Sequence, residues 1–346
     1  MSGARLRVDL SRILANHDAL QARLAPATVM FVVKNDAYGH GVDAVATAAA
    51  RHGVRWFGAF DVPTGLRVRA AAGPDARVFT WATASCEGLE AAVRAGLDLG
   101  VGDARYLEEV ADAAAAAGVR VPVHLKIDTG LHRNGVRRED WRGFTERAAA
   151  LEAAGRIRVV GIWSHLAETS DASDDDAREE FLDAVSVARA AGLTPELRHL
   201  AASAAAYARD GFRFDLTRIG AFCFGVRSAG GEDLPDIVPA ATLIAPVTAV
   251  GEETVTVGLG ALDGLPSTLA GRVEVGTPAG PRRLLAVHDT SLEVAAWPGA
   301  RAGDEVHVFG PGSAGEATAT TLAETIDTVG EELLVRVSPR IRRDYV

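Results

Sequence analysis

A lysine at the end of a short β-branched stretch gives the first sign of chemistry. Residues 31–41 read Phe-Val-Val-Lys-Asn-Asp-Ala-Tyr-Gly-His-Gly, with Lys34 directly after the apolar residues and Tyr38 further along. A lysine removed from water loses proton affinity and becomes a nucleophile that can form a Schiff base with a carbonyl compound. The segment therefore predicts a covalent carrier lysine. The alternative is a lysine whose ammonium reaches solvent beside a turn.

Other residues that can bind anions or move protons also follow apolar stretches. They are Lys126, Arg133, Ser164, His165, His199, Ser203, Arg218, Gly220 and Ala221. Backbone N–H groups beside glycine and at helix starts bind phosphate, which makes Ser203, Gly220 and Ala221 candidate phosphate ligands. The hydroxyls of Tyr38 and Tyr345 can add donors. Each of these residues also has a plainer explanation as a helix cap, a turn residue or a C-terminal anchor.

Short apolar strands alternate with alanine-rich helices from about residue 30 to residue 220. The expected strands are 30–33, 55–59, 77–81, 97–100, 121–127, 158–164, 196–200 and 215–219. Eight strand–helix units predict a (β/α)8 TIM-type barrel, in which functional residues stand at the C-terminal strand ends. A doubly wound open sheet gives the same alternation, so the count of eight is what favours the barrel.

The sequence changes character after about residue 235. Val/Thr-rich runs separated by Gly and Pro predict a mainly antiparallel β-domain, with a helix at 318–328 and a last strand at 332–337. The expected domains are the barrel, 12–232, and a β-domain formed by 1–11 with 235–346. Residues 5–9 are expected to add a strand to the β-domain. In the acidic run 171–180, Ser173 is expected to cap a helix.

Composition excludes several classes of function. The formal net charge is -10 and no Lys/Arg-rich block occurs, so nucleic acid and anionic membrane surfaces are not expected partners. The two cysteines, Cys86 and Cys223, cannot form a disulfide framework or a zinc cluster, and no metal site is expected. With no long apolar segment, the sequence favours a cytoplasmic protein.

Several of these segments resemble motifs of alanine racemases. Residues 32–41 resemble V-V-K-A-N-A-Y-G-H-G, residues 126–135 resemble K-V-D-T-G-M-G-R-L-G, and residues 218–225 resemble R-P-G-I-A-L-Y-G. Residues 164–167 are similar to T-H-F-A, and residues 201–205 are similar to A-N-S-A-A. The likeness covers nearly the whole chain, so the sequence is identified as a member of that family.

The resemblance implies a pyridoxal 5'-phosphate cofactor carried by Lys34, a small amino-acid substrate and a homodimer. The β-domain of one subunit would cover the other subunit's site. The residues that would hold the cofactor phosphate are Tyr38, Ser203, Gly220, Ala221 and Tyr345.

The resemblance also implies a role for four other side chains. His165 would stack on the cofactor ring, and Arg133 would contact its phenolic oxygen and the substrate. Lys126 is the position that the family carbamylates. Arg218 would face the pyridine nitrogen, where its permanent charge opposes a pyridinium and weakens the ring as an electron sink.

The sequence departs from the family at the second base. Racemisation needs a proton donor or acceptor on each face of the α-carbon, and the family supplies one from a tyrosine in V-G-Y-G-D-G-Y of the partner's β-domain. In this chain Leu259 stands where that tyrosine should be, and of the four tyrosines, Tyr38, Tyr106, Tyr207 and Tyr345, none lies in the β-domain before Tyr345. The family's R-V-S-M-D-Q segment is also altered, to a stretch that contains His288 and Asp289.

Three functions remain open. The chain is a racemase or epimerase in which His288, Asp289 or a water replaces the tyrosine; a one-base enzyme that uses Lys34 on a D-amino acid, as a lyase, aminotransferase or α-proton exchange catalyst; or a non-catalytic homologue that binds pyridoxal phosphate. A decarboxylase is disfavoured, because the relatives with that activity use a cysteine in the β-domain.

Overall fold

The computed structural model describes residues 3–82, 88–200 and 203–346, which form two compact units. The barrel unit comprises Leu20–Lys34 and Val42–Gly220. The β unit comprises Met1–Ala19, Asn35–Gly41 and Ala221–Val346. Cys86 lies outside the described residues, whereas Cys223 is buried.

Eight parallel strands form the core of the barrel unit. Numbered along the whole chain, they are β2 (Thr28–Val32), β3 (Trp56–Ala59), β4 (Arg77–Thr80), β5 (Asp98–Val101), β6 (Val121–Lys126), β7 (Ile157–Trp163), β8 (Leu197–His199) and β9 (Leu216–Ile219). Each of β2 to β7 pairs with the next strand in sequence, and β9 pairs with β2. Between β8 and β9, Asp215 and Arg198 exchange backbone and side-chain hydrogen bonds. The predicted (β/α)8 barrel is confirmed.

Helices follow the strands. They are α1 (Leu10–Leu24), α3 (Val42–His52), α4 (Val62–Ala72), α5 (Leu89–Arg94), α6 (Ala104–Ala117), α7 (Arg138–Ala153), α8 (Asp171–Ala190) and α9 (Ser203–Ala208). The expected cap of α8 at Ser173 is wrong: Ser170 has the extended backbone of a cap, and its hydroxyl accepts a hydrogen bond from the Ser173 N–H. In the described ranges, no helix has the length and hydropathy needed to cross a membrane.

The barrel interior carries polar side chains on four of its strands. Asp98 of β5, His124 of β6, His199 of β8 and Arg218 of β9 are each no more than 7% exposed. An apolar cluster also fills the barrel; its buried members are Met30, Phe79, Trp163 and Leu216. Buried polar groups cost free energy unless they are hydrogen-bonded, so these four side chains need hydrogen-bond partners inside the barrel.

A single left-handed turn, α2 (Lys34–Tyr38), follows β2. Its residues after Lys34 have φ between 53° and 54°, which costs an L-residue roughly 1–2 kcal/mol each. His40 stabilises the turn, because its Nδ1 hydrogen-bonds the carbonyls of Ala37 and Tyr38 at 2.9 and 3.0 Å. Burial lowers the pKa of His40 to about 4, so its imidazole stays neutral and Nδ1–H donates.

The β unit contains one eight-stranded sheet. Its strands are β1 (Arg5–Val8), β10 (Ala241–Val250), β11 (Thr254–Val257), β12 (Glu274–Thr277), β13 (Gly280–Val287), β14 (Leu292–Ala295), β15 (Glu305–Phe309) and β16 (Arg342–Tyr345). The order is β11-β14-β13-β12-β15-β10-β1-β16, and β11 also pairs with β10. All pairs are antiparallel except β1–β16, so the predicted antiparallel β-domain is confirmed.

The expected last strand at 332–337 is wrong. After α10 (Ala319–Glu324), these residues belong to helix α11 (Gly330–Arg336), and the last strand is β16. Adjacent Leu333 and Leu334 are both buried, which a two-sided strand and a packed helix explain equally well from sequence alone. Glu331 and Glu332 in the first turn favour the helix through its dipole.

Candidate active site

The candidate residues of the barrel unit stand at the C-terminal ends of its strands. Lys34 follows β2, Lys126 is the last residue of β6, His165 follows β7 and Arg218 lies in β9. Since the strands are parallel, these ends share one rim of the barrel, which is where barrel enzymes carry their active sites. Lys34 and Lys126 are also the only two lysines of the chain, a signal that motif reading alone overlooks.

Arg218 is held at this rim by neutral acceptors. Its Nη1 hydrogen-bonds the carbonyl oxygen and Nδ1 of His199, both at 3.0 Å. Its Nη2 contacts the carbonyls of Ser164 and Leu200 at 2.7 and 2.9 Å and Nδ1 of His165 at 3.2 Å. Burial is the main cause that lowers the pKa of Arg218 to about 9, which leaves it charged at neutral pH. Among the described residues, its Nε–H makes no hydrogen bond and can serve a ligand.

Positive charge accumulates around His165. Burial, followed by the charges of Arg218, Arg133, Lys126 and Lys34, lowers the pKa of His165 to about 3. The imidazole is therefore neutral and stands among four cations. Such a group of partly desolvated cations is costly without an anion, so this rim is suited to an anionic ligand.

Lys126 is the second amine of the rim. Its ammonium donates to Oδ1 of Asn134 and lies 4.8 Å from the centroid of the Trp163 ring. Burial and the charges of Arg218 and Arg133 lower the pKa of Lys126 to about 8. A substantial neutral fraction is therefore present just above neutral pH. Asn134 has no role in the sequence-based expectations and is revealed only by this contact.

The start of α9 adds Ser203 to the same unit, and Gly220 directly follows β9. Close to that helix start, the carboxylate of Glu168 accepts a hydrogen bond from the Ala205 N–H at 3.2 Å. Burial raises the pKa of Glu168. Glu168 was not expected from sequence. An acidic residue shortly after Ser164-His165 is the only signal that points to it.

Three expected phosphate donors belong to the β unit. The Tyr38 ring packs against Phe224, with 5.1 Å between ring centroids, and the Tyr38 hydroxyl oxygen accepts a hydrogen bond from the backbone N–H of Ala221. Burial, and secondarily the charge of Glu331, raises the pKa of Tyr38, which keeps its hydroxyl protonated as a donor. The Tyr345 hydroxyl lies so close to Gly41 that a Cβ at Gly41 would collide with it.

Leu259 is the residue that the sequence places at the position of the missing tyrosine. The Leu259 side chain is fully buried in the β unit, whereas Ala261 and Leu262 are exposed. The N–H groups of Ala261 and Leu262 donate to the carbonyls of His288 and Asp289 at 2.8 and 2.9 Å. The structure therefore brings this segment beside both candidate replacement bases. The exposed His288 ring also pairs with Glu293 at 3.1 Å.

The motif can be aligned with this segment in two ways. Counting forward from Val257 places Leu259 at the tyrosine, and counting back from Asp263 places Ala261 there. Neither residue carries a group that transfers a proton. The absence of the tyrosine thus does not depend on the alignment, although the exposed position is that of Ala261.

Comparison with known families and structures agrees with this arrangement. A family model described as the alanine racemase N-terminal domain matches residues 8–228, and one described as the alanine racemase C-terminal domain matches residues 247–345. The alanine racemase of Thermobifida fusca is 38% identical over 372 aligned residues, covering 99% of this chain and 98% of the relative. That of Beutenbergia cavernae is 39% identical over 370, with the same coverage.

Solved structures give the same result. The alanine racemase from D-cycloserine producing Streptomyces lavendulae has a TM-score of 0.94 and 31% identity, covering 100% of this chain and 97% of that one. The enzyme from Streptomyces coelicolor A3(2) has a TM-score of 0.94 and 33% identity, covering 99% and 98%. This chain therefore belongs to the alanine racemase family of pyridoxal-phosphate-dependent isomerases.

Proposed function

We propose that this chain is a pyridoxal-phosphate-dependent amino-acid racemase or epimerase in which Lys34 carries the cofactor. The observation that supports this most is the rim of the barrel unit, where Arg218 and three further cations surround the neutral His165. Asp128 and Glu168 act on Lys126 and Arg218, and a cofactor with a dianionic phosphate and a phenolic oxygen supplies the further negative charge that four cations call for.

The residues present fit the cofactor. When bound, pyridoxal phosphate withdraws electrons from the α-carbon of an amino acid and so acidifies its α-hydrogen. The Arg218 Nε–H is available for the ring nitrogen, and the neutral His165 can lie against an aromatic ring without adding a charge. Arg133, whose charge acts on His165, is proposed to bind a phenolic oxygen or a substrate carboxylate. Because Arg218 keeps its proton, it limits electron withdrawal, which suits reversible proton transfer.

Lys34 has two tasks in this proposal. Its amine binds the cofactor covalently, and once a substrate has displaced it, the released amine holds or returns the α-proton on one face. Lys34 is one of the four cations whose charges act on the neutral His165.

The phosphate donors are proposed separately for each unit. Ser203 and Gly220 serve in the barrel unit, beside the start of α9 and the end of β9. Tyr38, Ala221 and Tyr345 are proposed to serve in the β unit, where burial keeps the Tyr38 hydroxyl protonated and able to donate.

A glycine substitution tests the position of Tyr345. Gly41→Ala is expected to weaken cofactor retention by about tenfold, because the new Cβ displaces the Tyr345 hydroxyl and so removes one hydrogen bond to a charged group. Gly53→Ala is the matched control: Gly53 also has positive φ, but a Cβ there meets nothing within 4 Å. Cofactor dissociation constants from absorbance titration compare the two. Equal weakening would mean that backbone strain, not Tyr345, is responsible.

Lys126 is proposed to be carbamylated. Only a neutral amine reacts with carbon dioxide, and the lowered pKa of Lys126, about 8, makes that form available. With ¹³C-bicarbonate, a carbamate resonance is expected at pH 8 and is expected to fade as the pH falls toward 6, where the ammonium dominates. Lys126→Gln should remove the resonance while Lys34→Ala retains it. A resonance that persists in Lys126→Gln would refute the assignment.

The second face of the α-carbon decides between racemase and one-base enzyme. His288 and Asp289 are the proposed replacement bases, since the structure sets both beside the exposed Ala261. The missing tyrosine favours a second candidate function, in which Lys34 alone exchanges the α-proton of a D-amino acid. A non-catalytic cofactor-binding homologue is the third.

Incubation with pyridoxal phosphate and L- or D-amino acids in heavy water separates these functions. Deuterium at the α-carbon is followed by mass spectrometry, and chirality by chiral chromatography. Exchange with inversion from both enantiomers supports the racemase. Exchange of the D-enantiomer with retained chirality establishes one-base chemistry, and cofactor binding without any exchange leaves the non-catalytic homologue.

The assembly is proposed to be a homodimer in the cytoplasm, acting on a small amino acid. A strand-end site on a barrel is open to water unless it is covered, and the family uses the β-domain of a second chain as the cover. Sedimentation equilibrium is expected to give the dimer mass at micromolar concentration. A monomer under those conditions would contradict a covered site.

A further inference from the structure

A chain of hydrogen bonds leads from Arg218 into the barrel interior. Nη1 of Arg218 lies 3.0 Å from Nδ1 of His199, and Nε2 of His199 lies 2.8 Å from Nδ1 of His124. Nε2 of His124 lies 3.2 Å from Oδ2 of Asp98, and the same oxygen binds Arg77. The five residues come from strands β9, β8, β6, β5 and β4.

The direction of every bond follows from the two ends. A guanidinium only donates, so Nδ1 of His199 accepts. Burial lowers the pKa of both His199 and His124, so each ring is neutral and carries one proton. His199 then donates from Nε2 to His124, and His124 donates from Nε2 to the Asp98 carboxylate, which only accepts. The order Arg218→His199→His124→Asp98 satisfies each group with a single tautomer.

The residues packed around His124 and His199 keep water away from these hydrogen bonds. His124 and His199 have no exposed surface. Phe79 packs on both rings, at centroid distances of 4.7 and 5.3 Å, and Trp163 stacks on His199 at 5.8 Å. A Cβ at Gly161 would lie 2.6 Å from Nδ1 of His124, so only glycine leaves room for the contact between the histidines.

We propose that Asp98 is a positioning residue, which acts through His124 and His199 to orient the Arg218 guanidinium toward its ligand. A carboxylate in direct contact would offset the charge of Arg218 and occupy its donors. A carboxylate two rings away fixes both histidine tautomers, so that Nδ1 of His199 always accepts from Arg218, and leaves the Arg218 charge for the ligand. The expected effect of Asp98 on turnover rests on the proposed function, whereas the expected tautomers of His124 and His199 do not.

Nitrogen NMR of ¹⁵N-histidine-labelled protein tests the chain directly. In the wild-type holoprotein, both His124 and His199 are expected as neutral rings with the proton on Nε2. A proton on Nδ1 of either ring, or a charged ring at neutral pH, would overturn the proposal without any variant. This measurement needs no turnover. It can therefore refute the proposed hydrogen-bond chain independently of whether the protein is a racemase.

Asp98→Asn tests the effect on Arg218. The carboxamide can donate to His124, which permits both rings to invert and turns an N–H of His199 toward Arg218. A population of Nδ1–H tautomer is expected, with kcat for α-proton exchange reduced by about tenfold to a hundredfold and KM nearly unchanged. Because Asp98 acts through His199, Asp98→Asn is expected to cause no further loss in a His199→Leu background.

Asp215→Asn is the matched control, because Asp215 also pairs with an arginine between neighbouring barrel strands. Within the described part of the chain, no hydrogen bond joins Asp215 to a histidine. Its expected effect on kcat is within about twofold. Equal losses of kcat in Asp98→Asn and Asp215→Asn would show that Asp98 is merely structural. Additive losses of kcat when Asp98→Asn is combined with His199→Leu would show the same.

Discussion

Lys34→Ala is expected to abolish covalent cofactor binding and to lower α-proton exchange by about 10⁴-fold or more, since one residue serves as carrier and base. Lys34→Arg is expected to fail equally, because a guanidinium retains the positive charge of the rim but is not a nucleophile at neutral pH. Absorbance of the bound cofactor and the exchange rate are the measurements.

The lysine content of the chain makes the assignment unusually clear. Lys34 and Lys126 are the only lysines, so Lys126→Arg produces a protein with a single lysine side chain. Borohydride reduction of that variant is expected to fix the cofactor on the peptide that contains Lys34. Cofactor fixed on the Lys126 peptide of the wild type would show that the carrier has been misassigned.

Ala261→Tyr is expected to raise alanine racemisation by about 10²–10⁴-fold, the usual contribution of a positioned general acid or base. The backbone at Ala261 is exposed, so a phenol there can project from the β unit without disturbing its core. Wild-type racemisation of alanine is expected to be weak or absent. Rates of inversion from L- and D-alanine compare the two proteins.

Leu259→Tyr is the control for the alternative alignment. Leu259 is fully buried, so the larger, polar ring is expected to destabilise the protein by about 1–3 kcal/mol and to add no racemisation. A gain from Leu259→Tyr alone would place the tyrosine at that position. If the wild type already racemises alanine well, another base is present, and His288→Ala should then remove the activity.

The sequence alone does not decide which residue stands at the position of the second base. The Val-Gly and Asp-Gly pairs around this segment are separated by more residues than in the family motif, so two alignments are possible. The burial of the side chain distinguishes the two alignments, because a side chain in the core of the β unit cannot reach a substrate. Burial depends on contacts with β-strands remote in sequence, which no local pattern records.

The sequence by itself determined the barrel, the antiparallel β-domain and the family, because strand periodicity, glycine positions and the residues around Lys34 are local features. Tertiary structure decided the rest. Helix α11 replaced an expected strand because the acidic residues of its first turn and the burial of Leu333 and Leu334 favour a helix. The cation group around His165 and the chain of hydrogen bonds from Asp98 to Arg218 join strands that are far apart in the sequence. Hydrogen bonds and electrostatic interactions act through space, so they exist only once the barrel has closed.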